Sequence, residues 1–218
     1  MHESYLTILR EGLDEFTVSR SRFIGQAKPV STDEAALAFI GQIRKSYGDA
    51  SHHVWAYILG PSIERYSDDG EPQGTAGVPV LEVVRKEKLR DVAVVVTRYF
   101  GGVKLGAGGL VRAYSHGAKI ALEAGKIIER RLFHSFDVQT DYAFADKCRR
   151  EISRKGYRIK NTVYLDQVTF TVLVPPEEQG ELRKLAADLT AGCAVLRPGP
   201  NEYLDFWPDG TPAGSCPG

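Results

Sequence analysis

The sequence predicts an α+β protein of two domains. Three observations carry this. Apolar residues recur at helical spacing in some segments and crowd into β-branched runs in others. Beyond about residue 130 the elements follow the order β-α-β-β-α-β, the split βαβ, ferredoxin-like arrangement. The 218 residues, 43% hydrophobic and 26% charged, suffice for two modest cores.

Strands are expected at Tyr5–Arg10 and Ser21–Pro29. Ser31 and Glu34 have capping-box spacing. Ala36, Phe39, Ile40, Ile43 and Tyr47 then form the stripe of an amphipathic helix, which Gly48 stops. His53–Leu59 reads as a strand, and Gly60–Gly74 as a polar, turn-rich segment. Thr75–Leu89 reads as a helix with Pro79 in its first turn, where a missing N–H is tolerated. Asp91–Tyr99 contains VAVVV, the run of a strand buried on both faces. A third helix is expected over Gly109–Ala124. Leu110, Ala113, Tyr114, Gly117, Ala118 and Ala121 share one of its faces, and Gly125 is its C-terminal stop. After a boundary near Ile128–Leu132 come a strand (Phe133–Tyr142), a helix (Ala145–Lys155) and strands at Tyr157–Leu165 and Gln167–Val174. A helix introduced by Pro175–Pro176 runs to Thr190, and a last strand covers Cys193–Leu196. The domains expected are 1–130 and 131–205, with a disordered tail over 206–218.

Composition narrows the function. The 28 basic and 28 acidic side chains cancel, so a nucleic-acid contact must come from a local patch. Cys148, Cys193 and Cys216 are widely spaced and contain no CxxC unit, which argues against a disulfide framework or structural zinc. No apolar run reaches the ~18 residues of a membrane span, and MHESYLTILREG lacks a signal-peptide layout. A cytoplasmic protein without membrane attachment, metal or cofactor is expected.

The segment RYFGGVKLGAGGLVRAY (98–114) places a glycine-rich turn between a strand and a helix. Free amides and the positive dipole end at such a helix start favour phosphate or carboxylate. Arg98, Lys104 and Arg112 surround Gly101, Gly102, Gly106, Gly108 and Gly109. The pattern is neither GxxxxGK[ST] nor a complete GxGxxG, and the same glycines would also permit tight helix–sheet packing. In SDDGEPQGTAG (67–77), Asp68, Asp69 and Glu71 could hold a cation, orient a basic side chain or act as a base, and Asp69 or Glu71 could form an ion pair with Arg98 or Arg112. One loop rarely supplies a full coordination shell, and the ion pair is the preferred reading. His52 and His53 are neighbours on a strand, so at most one faces a site built by the two loops.

SRFIG (21–25), DASHH (49–53), SDDGEPQGTAG (67–77) and VTRYFGGVKLGAGGLVRAY (96–114) closely resemble the signature of the IMPACT family, in its bacterial YigZ/YvyE-like form. The resemblance implies an N-terminal domain of the ribosomal-protein-type α/β fold found in domain IV of elongation factor G. It also implies a ferredoxin-like C-terminal domain similar to that factor's domain V. Eukaryotic members regulate translation initiation under amino-acid starvation and carry an additional N-terminal interaction domain. That domain is not expected here, since the signature starts almost at Met1. The motif positions carried over are Asp68, Asp69, Glu71, Gly74, Arg98, Gly101, Gly102, Lys104, Gly106, Gly108, Gly109 and Arg112; no catalytic residue comes with them.

The resemblance points to RNA or ribosome association, possible regulation of translation and a stress response. Arg98, Lys104 and Arg112 would contact phosphates, and three contacts imply a salt slope of about −2 to −3. One alternative is an enzyme for a small anionic substrate, with Asp69 or Glu71 and His52 or His53 as acid and base. Another is a protein-interaction module with a purely structural glycine segment.

Overall fold

The computed structural model describes residues 4–213; Cys216 and the end of the tail lie outside them. The chain forms an α+β structure that divides into two units, Tyr5–Glu129 joined by residues 205–213, and residues 130–204. Among the described residues, no helix is long and apolar enough to cross a membrane.

The first unit is built on a five-stranded antiparallel sheet. Its strands are β2 (Gly12–Val18), β3 (Ser21–Pro29), β4 (His52–Leu59), β5 (Ile63–Ser67) and β6 (Val92–Tyr99), in the order β2-β3-β6-β4-β5. A short strand β1 (Ser4–Ile8) precedes them. The run VAVVV lies in β6, at the centre of the sheet and completely buried. Val92, Val94 and Val96 join a core under α2 (Gly77–Lys86) and α3 (Gly106–Gly125), whereas Ala93 and Val95 join a second core under α1 (Asp33–Ser46). The period of two thus places one helix layer on each face.

Several boundaries differ from expectation, each for a physical reason. Thr32, not Ser31, caps α1: its Oγ1 accepts from Ala35 N at 3.2 Å, the N-cap to N3 contact. α3 begins three residues early, so Gly106, Gly108 and Gly109 lie in its first turns. Gly125 is not its left-handed stop; Lys126 takes φ 63°, while a Cβ at Gly125 would lie 3.0 Å from Ile8 Cδ1. β2 and β5 were not anticipated; they are the mostly solvated edges of the sheet.

Tyr57 fastens β4 to the start of α1, its hydroxyl donating to Asp33 Oδ1 at 2.6 Å. Burial, then this hydrogen bond, pushes its phenol up to about 12. A folded value above the unfolded ~10 favours the neutral phenol. The stabilisation is therefore complete below pH ~10 and lost as pH rises through about 12. Tyr57→Phe is expected to lower stability by about 1–2 kcal/mol at neutral pH and to flatten this alkaline dependence. Urea unfolding across pH 7–12 measures both effects.

The chain passes into the second unit within β7 (Ile127–Thr140). There α4 (Tyr142–Arg154), β8 (Arg158–Tyr164), β9 (Val168–Val174), α5 (Gln179–Thr190) and β10 (Val195–Pro198) follow. The strands lie in the order β10-β7-β9-β8, all antiparallel. Phe136, Val138, Phe170 and Val172 meet Cys148, Ile152, Leu182 and Ala186 of the two helices in one core.

After β11 (Glu202–Phe206), the tail expected to be disordered is, over its described part, a closed turn. Trp207 N donates to Thr211 O at 2.8 Å, and Ala213 N to Asp205 O at 2.7 Å. Asp209 and Gly210 supply the turn chemistry: Asp209 Oδ1 accepts from Thr211 N at 2.9 Å, and Gly210 takes φ 84°.

Candidate anion-binding site

The glycine segment leaves the end of β6 and delivers the chain to α3. A Cβ on Gly101 would lie 1.9 Å from Arg20 O, at the tip of the β2–β3 hairpin. Glycine is required there because two backbones meet. Gly106, with φ 69°, turns the chain into α3. Gly108 is different: it is exposed, and a Cβ there would meet only Arg112 Nη1, at 3.7 Å. Packing does not explain that glycine.

The start of α3 is bare. Gly106, Ala107 and Gly108 are exposed, no side chain caps the helix, and its first turn holds no acid. The first amides of a 20-residue helix and the positive end of its dipole thus face outward. Lys104 and Arg112 are exposed beside it, and neither is in an ion pair among the described residues.

Two clefts flank this helix start. The first, of about 450 Å³, is lined by His52, Glu71, Pro72, Arg98 and Phe100, with Lys104–Ala107 and Leu110 opposite. The second, of about 490 Å³, is lined by Phe16, Val18, Ser19, Gly109, Arg112, Ala113 and His116. Lys104 and Leu105 border both, so the loop is the wall between them.

The acidic cluster is dispersed to three tasks. Asp68 serves α2: Oδ1 accepts from Ala76 N at 3.1 Å and Gly77 N at 2.8 Å, and Oδ2 from Gly74 N at 2.9 Å. Asp69, with φ 44°, sends Oδ1 to Arg44 Nη2 and Oδ2 to His53 N, both at 2.6 Å. Glu71 turns inward, where its Oε1 accepts from Arg98 Nη1 at 2.6 Å and Tyr114 Oη at 2.7 Å. Burial, reinforced by that hydrogen bond, holds the Tyr114 phenol far above its ordinary value. The three carboxylates diverge onto separate partners and share no centre.

Arg98 is accordingly not a free cation. It is 5% exposed and its charge is met by Glu71, one of the pairings of Asp69 or Glu71 with Arg98 or Arg112 that the sequence offers. Its Nε finds no hydrogen-bond partner among the described residues. The exposed positive charge of the site comes from Lys104 and Arg112.

The histidines face opposite ways, as strand alternation requires. His53 is buried and its Nε2 lies 3.0 Å from Tyr47 O, which fixes it in the fold. His52 Nδ1 lies 2.8 Å from Asp69 O. A carbonyl only accepts, so Nδ1 carries the proton and neutral His52 has its lone pair on Nε2. That nitrogen is 3.8 Å from Glu71 Oε1, at the first cleft.

The fold therefore gathers His52, Glu71, Arg98, Lys104 and Gly106 at one cleft, and Lys104, Gly109 and Arg112 at the other. It withdraws Asp68, Asp69 and His53 into structural contacts. Gly101 and Gly102 (φ 80°) shape the loop without lining either cleft. Sequence reasoning passed over Ser21, whose Oγ accepts from Gly101 N at 3.2 Å, and Phe100, which is 49% exposed on the cleft wall. An aromatic directly after a buried strand and before Gly-Gly was the available signal for Phe100.

These features define a two-unit α+β protein with an uncapped, basic helix start between two clefts. Residues 19–122 match the model for the Impact N-terminal domain, a range that holds every lining residue of the two clefts except Phe16 and Val18, and residues 138–192 match the Domain of unknown function (DUF1949). The IMPACT family member YvyE of Bacillus subtilis is 38% identical over 94% of this chain and 95% of its own length. The IMPACT family member YigZ of Escherichia coli is 32% identical over 82% of this chain and 90% of its own. The chain belongs to the IMPACT family. A solved crystal structure, described as that of a hypothetical protein, is similar with a TM-score of 0.60 and 30% identity, over 90% of this chain and 97% of the other.

Proposed function

We propose that the chain is a cytoplasmic RNA-binding protein that contacts phosphates at the start of α3, associates with ribosomal or transfer RNA, and acts on translation under stress. The observation that carries this reading is the bare helix start beside two unopposed cations, Lys104 and Arg112. Phosphate contacts of this kind position a nucleic acid without reading its bases. The strand order β10-β7-β9-β8 supports a ferredoxin-like assignment for the second unit. The likeness to domains IV and V of elongation factor G that the family resemblance implies would suit a ribosomal partner.

Lys104→Glu with Arg112→Glu tests the reading directly, by fluorescence anisotropy on a short RNA at low salt. The expected result is a loss of at least tenfold in affinity; unchanged binding would contradict the reading. Gly108→Ala separates this site from the fold. With only an ordinary contact to Arg112 Nη1 at 3.7 Å for its Cβ, alanine is expected to stabilise α3 by about 0.5–1 kcal/mol. The same methyl group sits where a phosphate would approach, so RNA affinity falls while stability rises.

One observation favours a second reading, acid–base chemistry on a small anionic substrate. In the neutral ring the Nε2 lone pair of His52 borders the first cleft, whereas Asp69 is held by Arg44 and His53 N. Turnover of a phosphorylated or carboxylated compound that His52→Ala abolishes would support it.

A further inference from the structure

Resting on the RNA reading, we propose that the first cleft seats one unpaired nucleotide of a single-stranded RNA. The base stacks on Phe100, and the adjoining phosphate lies at the start of α3.

Four features of the cleft converge on this. Its volume of about 450 Å³ is in the range of small-ligand pockets and takes one nucleotide, whereas a duplex cannot enter. Phe100 is half-exposed although its backbone is pinned, its N–H donating to Ser51 Oγ at 3.1 Å. The Arg98 guanidinium lies 5.3 Å from the ring centroid, and Arg98 is itself locked by Glu71. A half-exposed aromatic held this firmly is a stacking platform, and platforms of this kind serve unpaired bases. Pro72 and Leu105 complete an apolar lining that phosphate contacts alone would not need.

The polar edge of the cleft indicates which bases it accepts. His52 Nε2 is a hydrogen-bond acceptor in the neutral ring that carries its proton on Nδ1, whereas Glu71 Oε1 is already taken by Arg98 and Tyr114. A single acceptor at this edge suits a base that presents an exocyclic amino group. Cytosine, adenine and guanine present one; uracil shows carbonyl oxygens on both sides of a single N–H. The strand continues because Lys104 and Leu105 border the second cleft as well, where Arg112 meets the next phosphate.

The test uses the full chain with 5′-labelled rC and rU pentamers, a blunt duplex of the same length class, and free cytidine monophosphate. The two pyrimidines have similar stacking surfaces, so their difference reads the polar edge. The expected order is rC pentamer tighter than rU pentamer, with both single strands tighter than the duplex and the monophosphate. Phe100→Leu, which keeps apolar bulk but removes the ring, should cost about tenfold or more, and Phe100→Tyr should restore binding. His52→Ala should bring rC and rU together. A duplex that binds as well as the single strands, or a neutral Phe100→Leu, overturns the seated base. Monophosphate binding as tight as the pentamer overturns the strand. Either result with Lys104→Glu/Arg112→Glu still damaging leaves the RNA reading standing; an ineffective charge reversal removes that reading itself.

Discussion

Glu71→Ala is expected to destabilise the first unit by about 3–5 kcal/mol, the range for breaking one side of a buried ion pair. Arg98 is 5% exposed and Glu71 9%, so removing the carboxylate leaves a guanidinium with neither water nor counter-charge. Tyr114 loses its acceptor in the same step, and its hydroxyl is also buried. Urea unfolding followed by tryptophan fluorescence reports on this unit selectively, because both tryptophans, Trp55 and Trp207, lie in it. The midpoint should fall by roughly 1–3 M given ordinary urea sensitivities. Replacing both charges, Glu71→Gln with Arg98→Met, should cost less than Glu71→Ala alone, since no unpaired charge remains. A single-variant loss below about 1 kcal/mol would mean that the pair is not buried as described.

Gly25→Ala is expected to cost about 3 kcal/mol or more, the upper end of overpacking penalties. Gly25 sits in β3, and a Cβ there would lie 2.1 Å from Gly117 O in α3. Gly117 in turn approaches Val96, where its own Cβ would lie 2.8 Å from Cγ1. Helix backbone runs directly against strand backbone, and a methyl group must lift the helix from the sheet. RNA affinity should fall as well, since the displaced helix carries the site at its other end. Gly41→Ala is the control: that glycine is in α1 with nothing within 4 Å of its Cβ, and alanine there should stabilise by about 0.5–1 kcal/mol.

The parts of the fold legible in the sequence are those where burial is one-sided or complete. The stripe of α1, the buried face of α3 and the VAVVV run all follow from apolar spacing. The sheet edges β2 and β5 do not, because GLDEFTV and IERYS mix apolar and polar residues without a sustained period of two and are paired to the sheet on one side only. At the site, charge complementarity was sufficient to favour an ion pair of Asp69 or Glu71 with Arg98 or Arg112, of which the fold forms Glu71 with Arg98. It could not reveal that this pairing removes Arg98 from the exposed cations. Asp68 was opaque for another reason: it caps α2 across eight and nine residues of loop, a reach that local capping patterns do not encode.

The most direct measurement of the central claim is the slope of log K against log salt for a short single-stranded RNA. Two exposed cations, Lys104 and Arg112, predict a slope of about −1.4, below the value that three free cations would give. Lys104→Glu with Arg112→Glu should bring the slope near zero. A slope unchanged by that double reversal would contradict phosphate contact at the start of α3.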